Sequence, residues 1–248
     1  MIRFENICKR FGDQEILKNL SFEAQKGKIT VIMGPSGVGK SVTLKLLLGL
    51  LHPDEGKISV NEEVLDTHNE GQMKKLRRHL GMLFQDAALF DSMNVLENVA
   101  FPLREHTAFL EPEIASRVKT ALKEVGLENI EHKLPSELSG GMRKRVGLAR
   151  ALMLEPDIIL FDEPTTGLDP ISTAQIGDLV LDLQKARQCT VLLISHDLAL
   201  TYRIADSVGM LYKGKIVEFC EPKALASSKH PFVQAFLEAQ FNLEARQP

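Results

Sequence analysis

Three continuous apolar runs dominate the hydrophobic pattern of this chain. They span residues 29–33, 157–161 and 190–194, and they consist mainly of Ile, Val, Leu, Met and Phe. Uninterrupted apolar strands are typical of parallel sheets that helices cover on both faces. The pattern therefore predicts an α/β protein with a buried, largely parallel sheet.

Apolar residues at helical spacing predict helices between these strands. The stripe within Glu111–Val125 follows Pro112 and ends at Gly126, which are a typical first-turn residue and a typical stop. Because residues 86–154 show little strand pattern, we expect a helical block there. The other predicted helices are Ser41–Leu50, a helix from Gly141, Pro170–Arg187 and Pro231–Ala239.

Alternating patterns and turn residues predict the remaining elements. Residues 1–33 favour short β runs joined by turns, and Phe11 is expected in one of these turns before Gly12-Asp13. Ser92 is the expected N-cap of a helix. The remaining predicted strands are an edge strand Lys57–Asn61, a buried strand Gly81–Gln85 and a hairpin of Val208–Tyr212 with Lys215–Phe219, and a polar tail follows the last helix.

Composition narrows the functional classes. The chain has 248 residues and a net charge of −3, which gives no global field favouring nucleic acid, so we expect no nucleic-acid partner. Two basic clusters, 74–78 and 143–145, are expected to be solvated helix faces. Three scattered cysteines indicate a reducing compartment.

Membrane segments are not predicted. The first five residues carry charge and lack a signal-peptide apolar core. The densest apolar stretch, Leu46–Leu51, is far below the roughly 20 residues of a membrane span. We therefore expect any membrane role to act through a partner.

The first apolar strand leads into a phosphate-binding loop of the form G-x-x-x-x-G-K-[ST]. Glycines allow successive backbone N–H groups to point at phosphate oxygens, and the following helix presents its positive end to the same anion. In this pattern the Lys reaches the β- and γ-phosphates and the hydroxyl residue holds Mg²⁺. The loop residues are Gly34, Pro35, Ser36, Gly37, Val38, Gly39, Lys40 and Ser41.

Polar residues follow other predicted strands at the edge where such a loop lies. Asp162 and Glu163 follow the second apolar run; Asp162 is expected to hold Mg²⁺ through water, and Glu163 to polarise the attacking water. His196 follows the third run and is placed to hydrogen-bond the γ-phosphate. Without the phosphate loop, ordinary acidic strand ends and a surface histidine would be the favoured interpretation.

A second glycine-rich helix start lies within the helical block. Ser139 fits an N-cap, and Gly140 and Gly141 leave the following amides bare. An ordinary capped helix is one interpretation. The other is a phosphate-binding helix end that serves a nucleotide on another subunit.

Together these motifs resemble the ATP-binding subunit of ABC transporters over nearly the whole chain. Gly34–Ser41 is similar to Walker A, Ile158–Asp162 to Walker B and Leu138–Met142 to the signature. The resemblance further implies ATP and Mg²⁺ as cofactors, with roles for the residues that follow. These are Phe11 stacking on adenine, Gln85 in the Q-loop and at the metal, Glu163 as catalytic base, Asp169 in the D-loop and His196 as the switch histidine.

The same resemblance implies the architecture. It is an α/β P-loop NTPase (RecA-like) core with an antiparallel β subdomain and an inserted α-helical subdomain. The implied divisions are a nucleotide-binding core with the β subdomain at 1–85 and 155–220, a helical signature subdomain at 86–154, and a C-terminal helix and tail at 221–248. Two copies are expected to form a head-to-tail homodimer around two ATP and to move integral membrane permease subunits.

Local sequence features point to one branch of the family. Met142 replaces the common Gln of the signature, and with Arg143–Arg145 and the segments 84–93 and 97–103 it resembles the ATPases of Mla/Mce-type lipid transporters. This likeness implies phospholipid movement between the membranes of a Gram-negative envelope, from the cytoplasmic face of the inner membrane. It also implies partners with STAS and Mce domains; residues 221–248 are either an extension for such a partner or a helix packed on its own subunit.

Val42 departs from the family pattern, which commonly has a hydroxyl residue there that touches the α-phosphate. We expect backbone N–H groups to carry that contact, because Thr43 lies one step further round the helix.

Three other functions remain open beside phospholipid transport. They are an ABC importer or exporter for another substrate, a soluble ABC ATPase of translation or DNA repair, and a binding-only scaffold. A GTPase is disfavoured because the chain has no Asn-Lys-x-Asp motif.

Overall fold

The computed structural model describes residues 1–244, with the backbone alone for 241–244. These residues form two compact units, one built from Met1–Met73 together with the segment that begins at Thr190, the other from Lys74–Cys189. The strands are β1 (Ile2–Phe11), β2 (Gln14–Ala24), β3 (Ile29–Met33), β4 (Glu55–Val60), β5 (Glu63–Val64), β6 (Leu80–Leu83), β7 (Ile158–Asp162), β8 (Thr190–Ser195), β9 (Ser207–Tyr212) and β10 (Lys215–Cys220). The α-helices are α1 (Lys40–Leu47), α2 (Glu70–Arg77), α3 (Val95–His106), α4 (Glu111–Glu124), α5 (Gly140–Leu152), α6 (Pro170–Arg187), α7 (Leu198–Ile204) and α8 (Pro231–Glu244).

An antiparallel sheet with the order β2-β1-β4-β5 forms the N-terminal part of the first unit. Its inner face is apolar: Phe4 is fully buried and stacks on Phe22 with 4.6 Å between ring centroids. The predicted short runs of residues 1–33 are wrong in length, because β1 and β2 are long strands paired along most of their length. The predicted edge position of β4 is also wrong, since β4 lies between β1 and the two-residue β5.

Parallel strands carry the phosphate loop of the same unit. β3 lies between β8 and β9 and pairs in parallel with both, while β10 closes the predicted hairpin with β9. All residues of β3 and β8 are buried, as their uninterrupted apolar pattern predicts. The carboxyl ends of β3 and β8 therefore bring the loop after Met33 and the segment after Ser195 to one edge.

The second unit combines a parallel pair, β6 and β7, with four helices, α3 to α6. The N-cap of α3 is Asn94, which forms a reciprocal capping box with Glu97, so the predicted cap at Ser92 is wrong. Helix α4 covers the predicted range to within one residue, and α6 matches it at both ends. β6 ends at Leu83, two residues before the predicted polar end at Gln85.

The last helix, α8, packs on its own unit. Phe232 stacks on Tyr212 of β9 with 3.9 Å between ring centroids. The helix extends beyond the predicted end at Ala239, so the predicted polar tail is wrong for residues 240–244, and the rest of that tail, 245–248, lies outside the described residues. None of the described helices combines the length and the apolar character needed to cross a bilayer.

Candidate functional site

The loop from Gly34 to Ser41 is a tight backbone cradle at the end of β3. Gly39 precedes α1 with φ near 108°, a conformation that favours glycine, and as the N-cap residue it has no side chain that could cap the helix. Gly34 is equally restricted, since a Cβ there would overlap the carbonyl oxygen of Leu211. The helix start therefore presents its first N–H groups and the positive end of a helix dipole to an anion.

Lys40 is buried and its ammonium group lies inside the loop. Its Nζ donates to the carbonyl oxygens of Gly34 at 2.8 Å and Pro35 at 3.1 Å. These bonds hold a positive charge at the centre of the loop. A fixed cation in a loop that also offers backbone N–H groups is an arrangement suited to binding a polyphosphate.

The first turn of α1 places its hydroxyl residues differently. Helix α1 begins at Lys40, one residue before the predicted start, and it ends before the turn at Gly49. Ser41 and Val42 are half-buried, whereas Thr43 is buried and its Oγ1 donates back to the Gly39 carbonyl at 3.3 Å. Thr43 therefore faces the backbone of its own helix, which agrees with its being a poor substitute at Val42.

Two other predicted site residues belong to this unit. Phe11 is the last residue of β1 rather than part of a turn; its ring is 46% exposed and lies 5.7 Å from Lys9 Nζ. This exposure leaves part of the ring available for stacking. His196 is exposed and directly follows β8, while Asp197 caps α7, a helix that the sequence pattern did not predict.

Asp162 and Glu163 lie at the carboxyl end of β7 in the second unit, and both are half-buried. Glu163 has φ near 51°, a left-handed conformation that costs a non-glycine residue on the order of 1 kcal/mol. A turn holds it there: the Thr166 N–H donates to the Glu163 carbonyl, and the Thr166 hydroxyl donates to Glu163 Oε2 at 3.2 Å.

The signature segment forms a capped helix start, as predicted. Ser139 is the N-cap of α5, and its Oγ accepts from the Met142 N–H at 3.3 Å. A Cβ on Gly140 would lie 3.7 Å from Leu168, which places the helix start beside the segment before α6. Met142 also lines a cavity of about 250 Å³ with Ser139 and Gln175.

Asp169 caps α6 next to this helix start. Its carboxylate accepts from the Ile171 and Ser172 N–H groups and from the Ser172 hydroxyl, the last at 2.6 Å. The hydroxyl bond from Ser172 holds the pKa of the Asp169 carboxyl below its usual value. Asp169 is thus a fixed anionic cap.

Gln85 lies two residues beyond β6 and is exposed. The turn after it contains two left-handed alanines, Ala87 and Ala88, with φ near 60° and 47°. Arg150 of α5 donates to the carbonyl oxygens of both, at 2.7 and 2.8 Å. Because the Arg150 guanidinium binds the carbonyl oxygens of both left-handed residues, it fixes the backbone beside Gln85.

The prediction of a solvated basic cluster at 143–145 is wrong for Lys144. This side chain is only 6% exposed, and its Nζ donates to the carbonyls of Thr166 at 2.8 Å and Glu163 at 3.4 Å. Burial lowers the pKa of the Lys144 ammonium group, and the negative charges of Asp86 and Glu163 oppose this shift only in part. The available sequence signal was helical spacing. Residue 144 lies four residues before the apolar residue 148, so the two share one face of the helix.

The donor chemistry of the predicted metal ligands fits Mg²⁺. A serine hydroxyl, a carboxylate and an amide carbonyl are hard oxygen donors, and Mg²⁺ in nucleotide sites is held by few protein ligands together with phosphates and water. The described residues contain no cluster of three or more His, Cys, Asp or Glu side chains able to hold a metal alone. The expected donors are Ser41, Gln85 and Asp162.

Comparison with models of protein families identifies the family that has these two glycine-rich helix starts. Residues 17–166 match the model of the family described as ABC transporter. The chain belongs to the ABC transporter family. As an ABC ATPase, it has a P-loop NTPase fold, and the predictions of family, fold and ATP binding are confirmed.

Similar proteins cover nearly all of this ABC ATPase. The Escherichia coli K12 intermembrane phospholipid transport system ATP-binding protein MlaF is 43% identical over 92% of this chain and 84% of its own length. The probable ribonucleotide transport ATP-binding protein mkl of Mycobacterium leprae is 42% identical over 96% of this chain and 69% of its own.

Solved ABC cassettes have the same fold. A dimeric post-hydrolysis structure of the cassette MJ0796 bound to ADP and Pi superposes with a TM-score of 0.82, at 31% identity over 90% of this chain and 99% of that one. The cbiO1 protein of Clostridium perfringens, part of the transporter complex cbiONQ, gives 0.84 at 30% identity over 98% of both chains.

Proposed function

We propose that this protein is the ATP-hydrolysing subunit of an ABC transporter that moves phospholipid between the inner and outer membranes of a Gram-negative envelope. The observation that carries the substrate is the 43% identity to MlaF over most of both chains. The local likeness at Met142 and its basic neighbours points the same way.

One copy grips ATP through the residues of its first unit. Phe11 stacks on adenine. The phosphates are held by backbone N–H groups of Val42 and of the loop Gly34–Ser41, in which Pro35 alone has no N–H to donate. Lys40 exchanges its bonds to the loop carbonyls for the β- and γ-phosphates, which keeps its charge paired in both states. The proposed donors for Mg²⁺ are Ser41 of this unit together with Gln85 and Asp162 of the second unit, and the ion would neutralise phosphate charge.

Hydrolysis requires an oriented water on the far side of the γ-phosphate. Glu163 accepts a proton from this water, and its turn with Thr166 fixes the carboxylate. His196 donates to the γ-phosphate, and Gln85 would act both on this water and as a donor to Mg²⁺. A scaffold with an inactive site is disfavoured because Lys40, Glu163 and His196 are all present.

The second half of the site comes from another copy. The N–H groups of Ser139, Gly140 and Gly141 at the start of α5 bind the γ-phosphate held by the partner, and Asp169 lines the same interface. The dimeric MJ0796 cassette with ADP and Pi supports this arrangement. Closure around ATP and opening after hydrolysis drive the membrane subunits.

The remaining assignments follow from the same proposal. The protein acts peripherally at the cytoplasmic face of the inner membrane, with integral permease subunits, a STAS-domain protein and an Mce-domain lipid-binding protein as partners. The division into a core at 1–85 and 155–220, a helical subdomain at 86–154 and a C-terminal element at 221–248 stays a prediction. Within that element, the Tyr212–Phe232 stack favours packing of α8 on its own subunit.

A second candidate substrate comes from the name of mkl, a ribonucleotide transport protein at nearly the same identity. Purification of the intact membrane complex, followed by mass spectrometry of its bound small molecules, separates the two. We expect phospholipid, enriched over a complex of an unrelated permease prepared in the same detergent. Ribonucleotide bound outside the ATP site, without enriched phospholipid, contradicts the proposal.

A further inference from the structure

Helix α5 carries a buried cation directed at the turn that contains Glu163. Lys144 is almost fully buried, and its Nζ donates to the backbone carbonyl oxygens of Thr166 and Glu163 at 2.8 and 3.4 Å. A lysine rarely occupies such a position unless its ammonium group is hydrogen-bonded. Hydrogen bonds from a charged donor are about twice as strong as those between neutral groups.

The turn that Lys144 binds needs such support. Glu163 is a non-glycine residue in the left-handed region, which other interactions must stabilise. The carbonyl oxygen of Glu163 accepts from the Thr166 N–H, and the carboxylate accepts from the Thr166 hydroxyl. Lys144 binds the two carbonyls at the ends of this turn, so it stabilises both residues of the bonded pair.

The same helix begins at the signature. Lys144 lies three residues after Gly141, within one helical turn, so the capped start of α5 and the ammonium group move as one body. This helix packs closely on the rest of its unit at Gly147. A Cβ at this position would lie only 3.0 Å from the side chains of Ala87 and Leu83, so a larger residue would push the helix away. A displacement at Ser139 is therefore transmitted along a rigid, tightly packed helix.

We infer that Lys144 is a positioning residue for hydrolysis, which links the phosphate-binding start of α5 to the turn that holds Glu163. This inference rests on the proposed roles of Glu163 and Ser139. In the dimer, the signature touches the ATP held by the partner, whereas Glu163 serves the ATP held by its own chain. Lys144 thus makes the geometry of one catalytic carboxylate depend on whether the other site is occupied.

The test compares Lys144→Met with Lys119→Met in the intact transport complex. Lys119 is an exposed lysine on α4, so its replacement makes the same chemical change away from the turn. For Lys144→Met we expect kcat to fall at least tenfold, with KM for ATP and the affinity for a labelled ATP analogue within twofold of wild type. Lys119→Met should keep kcat within twofold. A wild-type kcat for Lys144→Met overturns the inference, as does a loss confined to KM.

A double-mutant comparison identifies the route of the effect. If Lys144 acts through Glu163, adding Lys144→Met to Glu163→Gln should lower the residual turnover by less than twofold. A further tenfold fall shows an independent role and overturns the inference. Full turnover by Glu163→Gln alone would instead contradict the proposed base, which is a separate failure.

Conservative variants keep the test decisive where Lys144→Met does not fold. Arginine can donate to both carbonyls with its charge retained, so Lys144→Arg should hold kcat within about threefold of wild type. Lys144→Gln keeps a neutral donor on a shorter side chain, and its kcat should fall at least fivefold at an unchanged melting temperature. Equal kcat values for the arginine and glutamine variants contradict the inference.

Discussion

The hydroxyl of Thr166 donates to Oε2 of Glu163 across a turn of four residues, at 3.2 Å. This bond orients the carboxylate of Glu163, a residue whose backbone is in the left-handed region. The chemistry assigned to Glu163 therefore depends on a turn rather than on β7 alone. The same turn is bound from α5, so its geometry is set by two elements.

Replacement of Glu163 by glutamine should separate binding from turnover. The amide keeps the size of the side chain but accepts no proton, so we expect kcat to fall about 100-fold or more. ATP affinity should stay within about threefold of wild type, and ATP should trap a dimer that size-exclusion chromatography detects. Glu128→Gln, an exposed change in the same unit, is the control. Unchanged turnover would remove Glu163 from its role as base.

Replacement of Lys40 by alanine should weaken nucleotide binding. The variant loses a buried ammonium group, and a charged hydrogen bond contributes roughly 1.5–3 kcal/mol, so the Kd for ATP should rise about 10- to 100-fold. Equilibrium binding of a fluorescent ATP analogue measures this change. Lys45→Ala, an exposed lysine of the same helix, should leave the Kd within about twofold. Equal affinities for the two variants would contradict the loop assignment.

The two glycines Gly34 and Gly37 give a matched test of packing at the loop. Both have positive φ, but a Cβ on Gly34 overlaps the Leu211 carbonyl, whereas a Cβ on Gly37 has no neighbour within 4 Å. Gly34→Ala should therefore cost about 2 kcal/mol more than Gly37→Ala, which corresponds to a melting temperature lower by about 4–8 °C. Calorimetry without nucleotide measures the difference. Similar melting temperatures would show that the loop relaxes around the added methyl group.

The pH dependence of stability has a testable contribution from Asp54. The Lys9 side chain, at 2.7 Å, and the Arg10 N–H hold the pKa of the Asp54 carboxyl below its usual value. A depressed folded pKa contributes stability above the unfolded pKa near 4, and that stability is lost as pH falls through the folded pKa. Because Asp54 is exposed, the contribution is at most about 1 kcal/mol.

Asp54→Asn should therefore lower the free energy of unfolding at pH 7 by less than about 1 kcal/mol. At pH values below the folded pKa, the variant and the wild type should converge, because the carboxyl is protonated in both folded and unfolded states. Urea unfolding at a series of pH values measures the two curves. A difference that grows towards low pH contradicts the assigned sign.

The sequence predicted the fold well where one local rule was sufficient. Continuous apolar runs gave β3 and β8, and Pro170 at a first helical turn gave α6 its start. The capped start at Ser139 was likewise predictable, because capping residues act within one turn. Two nearby capping residues could not be ranked in this way: Ser92 was favoured, but Asn94 pairs with Glu97.

Tertiary contacts account for the features that the sequence concealed. In the sequence, Lys144 is one of three consecutive basic residues and looks solvated. Its burial is favourable because its ammonium group donates to the Thr166 carbonyl, a contact that only the folded chain provides. The interior place of β4 likewise depends on β5, a two-residue strand too short to show periodicity. Phe11 looked like a turn residue because Gly12-Asp13 follows it, yet its backbone still pairs with Gln14.

The stack of Phe232 on Tyr212 has a practical consequence for recombinant work. Tyr212 ends β9, the strand that pairs with β3 ahead of the phosphate loop. A deletion that begins before Pro231 would remove Phe232 and expose the Tyr212 ring in the unit that carries this loop. Shortened versions that stop after the first two turns of α8 keep Phe232. Purification tags are best joined beyond this point, where they leave the ring pair intact.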